Sequence, residues 1–146
     1  MSENTVTIVG NVVRSPELKF LNNGQASLRM SVAVNRTWTN KQTQEREDRV
    51  SYLEVSAYGS MAENVANSVD KGTRVVVTGR LEQRSWETAE GDKRSIIEIN
   101  SDEIAVSLKW ATTVITKVAK PEGGSSSRTS GPRPAPAIYA FDDEPF

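Results

Sequence analysis

The stretch from Val75 to Trp86 (VVVTGRLEQRSW) reads as one long strand whose two halves want different surroundings, and few folds accept that. Before Gly79 every residue is β-branched, the composition of a strand packed on both faces. After Gly79, period-two counting puts Arg80, Glu82, Arg84 and Trp86 on one face and Leu81, Gln83 and Ser85 on the other. A core has no use for Arg-x-Trp on one face. A cation and an indole set two residues apart can instead hold a phosphate beside a stacked base, so a scaffold strand that runs out into a binding surface is expected.

A second stretch repeats the pattern. From Ala26 onward Leu28, Met30, Val32 and Val34 alternate with Arg29, Ser31 and Ala33, and the apolar parity continues into Arg36 and Trp38. Ahead of it, Thr5 to Val13 is β-branched and interrupted by Gly10, where a strand can bend; Leu18 to Leu21 is short and apolar, and Asn22-Asn23-Gly24 is a turn signal. Thr39 to Asp48 (TNKQTQERED) has no period and is expected to be a long mobile loop. Val50 to Gly59 alternates Leu53, Val55 and Ala57 with Tyr52, Glu54, Ser56 and Tyr58.

Ser60 followed by Glu63 predicts a capping box that opens one helix, with Met61, Ala62, Val65, Ala66 and Val69 as its apolar stripe and Lys71-Gly72 as its stop. Ala89-Glu90-Gly91-Asp92 turns the long strand back into Arg94 to Asn100, Ile104, Val106 and Leu108 continue the alternation, and Ala111 to Val118 is a candidate further strand. Strand, strand, strand, helix, strand, strand, with bends at Gly10 and Gly79, is the order of an OB-fold. The expected class is all-β with one helix: a five-stranded Greek-key barrel, plus an extra C-terminal strand.

Enzyme chemistry starts at a disadvantage. The chain has no Cys and no His, which removes the thiol nucleophile, the zinc-thiolate site and the commonest general base and metal ligand together. Glu45, Glu47 and Asp48, or Glu90 and Asp92, could suggest a metal-dependent nuclease, but nothing in their spacing fixes a coordination geometry, and they read as hydrophilic turn residues. No metal, cofactor or catalytic residue is expected. Met1-Ser2-Glu3-Asn4 lacks the regions of a signal peptide, so the expected location is cytoplasmic.

The formal charge of −1 conceals a division. Residues 1–120 carry 16 Lys and Arg against 15 Asp and Glu, and residues 121–146 carry 2 against 4. A body so nearly neutral cannot bind a polyanion by bulk charge; it needs a local groove of cations and a large stacking contribution. Three parts are expected: a binding and oligomerisation domain over residues 1–120, a disordered Gly/Ser/Pro linker over 121–137 and an acidic tip over 138–146. In the tip, Asp142, Asp143 and Glu144 alone would only keep a terminus soluble. Pro145-Phe146 adds an exposed aromatic on a tether, suited to docking in a basic-rimmed apolar pocket of another protein.

The candidate site is a set of aromatics that do not suit a core, Trp38, Tyr52, Tyr58 and Trp86, with Arg36, Arg84 and Lys71 as phosphate ligands. Arg14, Arg46, Arg49 and Lys93 read as solvated surface. Trp110 is left open between packing and a further platform.

With Gly10-Asn11-Val12, Tyr52 to Gly59, Met61-Ala62-Glu63, Lys71-Gly72, Val77-Thr78-Gly79-Arg80-Leu81, Arg84-Ser85-Trp86 and above all Asp142-Asp143-Glu144-Pro145-Phe146, the sequence resembles bacterial and phage single-stranded DNA-binding proteins over nearly its whole length. The resemblance implies an OB-fold homotetramer, base stacking at Trp38, Tyr52, Tyr58 and Trp86, a nucleoid-associated location, and an acidic tip that recruits DNA replication, recombination and repair proteins. The best-known members often carry Trp and Phe where this chain has Tyr52 and Tyr58. Ser107 to Thr112 resembles actinobacterial members, in which residues beyond the barrel form an extra strand clamping a dimer. A reading of a different class is an OB-fold oligomeric adaptor that acts mainly through protein contacts.

Overall fold

The alternating segments pair into one strongly bent sheet. The structure, a computed structural model, describes residues 3–119. Its elements are β1 (Val6–Val12), β2 (Glu17–Phe20), β3 (Ala26–Thr39), β4 (Arg46–Tyr58), α1 (Gly59–Ser68), β5 (Arg74–Glu87) and β6 (Lys93–Val106). The sheet runs β1-β5-β6-β4-β3-β2, and β1 also pairs with β3 through Asn11↔Ala33 and Val12↔Val32. That second pairing closes five strands into the expected OB barrel and leaves β2 as one added strand on the outer edge of β3. The added strand is therefore N-terminal. Ala111 to Val118, rich in Thr and Val, is not in strand conformation, because β-propensity needs an edge to pair with and these residues pair with none among the described residues.

Closure depends on curvature, and Gly79 shows how it is obtained. The β5–β6 register slips between Thr78 and Gly79, so that Thr78 faces Glu103 while Gly79 faces Ser101, leaving Asp102 as the bulged residue. A Cβ on Gly79 would collide with the Asn100 carbonyl oxygen, and one on Gly10 with that of Ala33; both glycines let neighbouring strands approach where the sheet bends.

The interior parity of the strands supplies the core. Leu28, Val32, Val55, Val75, Val77 and Ile99 are fully buried, and α1 closes one end with Ala62 and Val65. The helix begins differently from the expectation. Gly59 at φ +68 turns the chain directly from β4 into α1, so Tyr58 is the N-cap, Ser60 falls inside the first turn and no side chain caps the helix. Lys71-Gly72 likewise lies beyond the helix end at Ser68, in the turn that leads to β5.

The loop within Thr39 to Asp48 is shorter than expected. The β3–β4 ladder continues through Trp38↔Glu47 to Thr39↔Arg46, leaving only residues 40–45 as connection. Polar residues sustain it by cross-strand bonds: the Thr37 hydroxyl donates to Asp48 Oδ1 at 2.7 Å, and Asn40 Nδ2 donates to Glu47 Oε1 at 3.0 Å. Asn40 also accepts the Gln42 amide on its side-chain oxygen at 2.9 Å, fixing the turn.

The expected linker over 121–137 and tip over 138–146 lie outside the described residues.

Candidate nucleic-acid interface

Two long hairpins leave the same end of the barrel. In β3 the residues after Val34 are exposed except Trp38, which is half-buried, and in β5 every residue from Arg80 onward is exposed, which is why the core parity of each strand can change into Arg-x-Trp without disturbing the interior. Both strands contribute their last turns to solvent-exposed ribbons, β3–β4 and β5–β6.

On the β3–β4 ribbon Arg36 faces Arg49, and Trp38 faces Glu47. The Arg49 guanidinium stands 5.7 Å from the Trp38 ring centroid. On the β5–β6 ribbon Arg84 faces Ile96 and Trp86 faces Arg94, and the Arg84 guanidinium lies 5.2 Å from the Trp86 ring. Trp86 is 42% exposed and Tyr52, on β4, 66%. A ring braced by a cation yet open to solvent offers a base its π-face and its phosphate a charge in one place.

Register decides which of these residues share a surface. Tyr52 faces Ala33 and Tyr58 faces Ser27, so both tyrosines stand on the outer face of the sheet. That face continues through the short parallel pairing of β4 with β6 (Glu54↔Glu98) into β5 (Glu82↔Glu98) and reaches Arg84 and Trp86. Trp38, Arg36 and Arg49 have the opposite parity, that of the barrel interior carried beyond the barrel's end. Trp38 and Tyr52 therefore occupy opposite faces of one ribbon. Lys71 is separated from the hairpins altogether: it precedes β5, which needs about 40 Å to run from Arg74 to Trp86.

Charge on the outer face is sorted. Glu54, Glu98 and Glu82 form an acidic row across three strands; Arg29 approaches Glu98 at 4.0 Å and Arg80 approaches Glu82 at 3.8 Å. Among the described residues these are the only ion pairs, so Arg36, Arg49, Arg84 and Arg94 have no carboxylate within that reach. The cations beside the tryptophans are unneutralised, as are the other described Lys and Arg apart from Arg29 and Arg80.

Arg49 and Arg94 escape a reading of the sequence for different reasons. Arg94 is recoverable by counting outward from the Glu90-Gly91 turn, which sets it opposite Trp86. Arg49 is not, because its register depends on the ribbon that Thr39 to Asp48 conceals in a polar run. Arg46 and Lys93 stand at the ribbon ends, opposite Thr39 and Glu87. Among the described residues no group of three potential metal ligands is present and no helix is long and apolar enough to cross a membrane.

Several known proteins resemble this chain in sequence and in fold. The sequence profile of the Single-strand binding protein family matches residues 3–107. A single-stranded DNA-binding protein of Mycobacterium tuberculosis is 42% identical over 146 residues, covering 99% of this chain and 87% of the relative. One from Mycobacterium leprae is 43% identical over 147 residues, covering 99% and 88%. Among solved structures, the small single-stranded DNA-binding protein from Streptomyces coelicolor superimposes with a TM-score of 0.61 at 31% identity, covering 74% of this chain and 97% of that one. A Plasmodium falciparum SSB complex with ssDNA gives 0.66 at 26% identity, covering 73% and 97%.

Proposed function

This chain belongs to the single-strand binding protein family, and from that premise we propose that it binds single-stranded DNA without sequence preference, stacking bases on Trp38, Tyr52, Tyr58 and Trp86 while arginines beside the hairpin tryptophans take the phosphates. The observation that carries this reading is the pairing of Trp38 with Arg49 and Trp86 with Arg84 on exposed ribbons, with no carboxylate in ion-pair reach of either guanidinium among the described residues. Arg36 and Arg94, each opposite a member of these pairs, extend the cationic surface. Lys71, at the other end of β5 from the hairpin tips, is proposed as a phosphate contact apart from the hairpin platform. The role is that of a binding protein, not an enzyme: it covers single strands exposed in replication, recombination and repair.

Titration with oligo-dT while tryptophan emission is followed tests the reading. Quenching that saturates and is reversed by salt is expected, since stacking perturbs the indoles and phosphate contacts release counterions. Unchanged emission together with no complex in a low-salt gel rules it out.

The second half of the proposal concerns residues outside the described structure. Asp142, Asp143, Glu144, Pro145 and Phe146 are proposed to recruit replication and repair proteins, and the domain to assemble as a homotetramer in the cytoplasm. The adaptor reading, in which protein contacts are the main function, makes the opposite claim about the barrel. Deleting the last five residues separates them: oligo-dT affinity is expected to be kept or slightly raised, because an acidic competitor is removed, while capture of partner proteins is lost. A fall in oligo-dT affinity contradicts the assignment of the tip.

A further inference from the structure

Where β5 leaves the barrel it loses a neighbour. Up to Gly79 it is paired on both edges, with β1 as far as Val6↔Gly79 and with β6 through Thr78↔Glu103; from Arg80 onward β6 is its only strand partner among the described residues. The ribbon that carries Arg84 and Trp86 therefore hangs from a single ladder, at a point where the register slip beside Gly79 already bends the chain.

Asn4 spans the gap on the other edge. Counting back from Val6↔Gly79, it is the residue that would face Leu81 if the β1–β5 ladder continued. The backbone ladder stops, yet the Leu81 amide donates to Asn4 Oδ1 at 2.7 Å and Asn4 Nδ2 donates to the Leu81 carbonyl oxygen at 3.3 Å. A carboxamide carries an acceptor and a donor side by side, so it reproduces both bonds of a facing backbone residue on an arm that can follow β5 as it diverges. Within the ribbon, Asn100 Nδ2 donates to Glu82 at 3.3 Å, bracing the same level on the β6 side.

The brace sits at the fulcrum of a lever. Trp86 is about 17 Å along the strand from Leu81, so a tilt of about 10° there carries its ring about 3 Å. Arg84 and Trp86 share the outer face with Tyr52 and Tyr58, and a ligand that spans them needs the ribbon held to within about 10–20°. Both Asn4 bonds are open to solvent, so their net worth to stability is small. What they fix is direction.

We infer that Asn4 is a positioning residue for single-stranded DNA binding: its side-chain amide sets the angle at which the β5–β6 ribbon leaves the barrel and holds Arg84 and Trp86 in line with Tyr52 and Tyr58. The inference rests on the function proposed above and adds a residue that acts only through others.

The test uses the full chain. Asn4→Ala is expected to raise the Kd for oligo-dT about fivefold, as for a ribbon that spends about a fifth of its time in the binding orientation. Where the ribbon contacts are already removed by Arg84→Met with Trp86→Ala, adding Asn4→Ala is expected to change nothing further, whereas beside Trp38→Ala the fivefold loss is expected in full. With fluorine-labelled tryptophan, and the Trp86 resonance assigned from Trp86→Phe, Asn4→Ala is expected to shift or broaden that resonance in the free protein and to leave those of Trp38 and Trp110 in place. The thermal midpoint, and the assembly mass by light scattering, are expected to stay unchanged. A loss that persists undiminished without Arg84 and Trp86 overturns the inference, because Asn4 then acts on DNA by another route. So does an unchanged affinity, and so does a fall in midpoint or assembly mass, which makes Asn4 a residue of the fold or of a contact between copies. If the unaltered protein leaves oligo-dT unbound, the function proposed above fails as well.

Discussion

Replacing Trp38 and Trp86 together by alanine is expected to cost about 2–6 kcal/mol in oligo-dT binding, at least a thirtyfold rise in Kd. Each indole is a separate stacking surface worth about 1–3 kcal/mol. The two sit on different ribbons with different guanidinium partners, Arg49 and Arg84, so their losses should add. Neither belongs to the buried core, and circular dichroism and the thermal midpoint should therefore stay close to those of the unaltered protein. Equilibrium titration of both single variants and the double variant at one salt concentration measures the sum. A double variant no weaker than either single would mean that the two rings serve one nucleotide, contrary to their placement on separate hairpins.

Leu28→Ala is expected to destabilise the fold by about 2–5 kcal/mol, the range for truncating a buried leucine where the surroundings relax only partly. Leu28 is fully buried on β3, opposite Leu18 of β2 and Ala57 of β4, and belongs to the core that α1 covers. Urea unfolding at a fixed protein concentration gives the value; concentration is held because the proposed self-association would stabilise the folded state by mass action. Where the variant remains folded, its oligo-dT affinity should match the original, since the hairpin ends lie outside the core. A loss below about 1 kcal/mol would show that the site is loosely packed.

The contrast between these two variants follows a division visible in the residues. Strand interiors were legible because Val, Ile and Leu at period two have one reading, and the bends were legible because Gly10 and Gly79 interrupt runs that otherwise exclude glycine. Arg84 and Trp86 were legible because a cation and an indole conflict with the parity of a core. Polar pairing was harder to read. Thr37 to Asp48 forms a ladder through hydroxyl, amide and carboxylate bonds that carry no hydrophobic signature, so the ribbon and the position of Arg49 were hidden together. Lys71 stands apart from the hairpins for another reason: adjacency to the start of β5 says nothing about distance from its far end. The capping signal at Ser60 and Glu63 was overridden by Gly59, whose positive φ begins the helix two residues early.

The two faces of the β3–β4 ribbon bear on how the protein would tell a single strand from a duplex. A ligand touching both Trp38 and Tyr52 has to turn around the rim of a two-stranded ribbon, a bend with a radius on the order of 10 Å. Double-stranded DNA, with a persistence length of about 50 nm, cannot follow that curve, and its bases are already stacked on one another. A single strand can. Rejection of the duplex then follows from the thinness of the ribbon and the placement of aromatics on both its sides, with no base edge read at all.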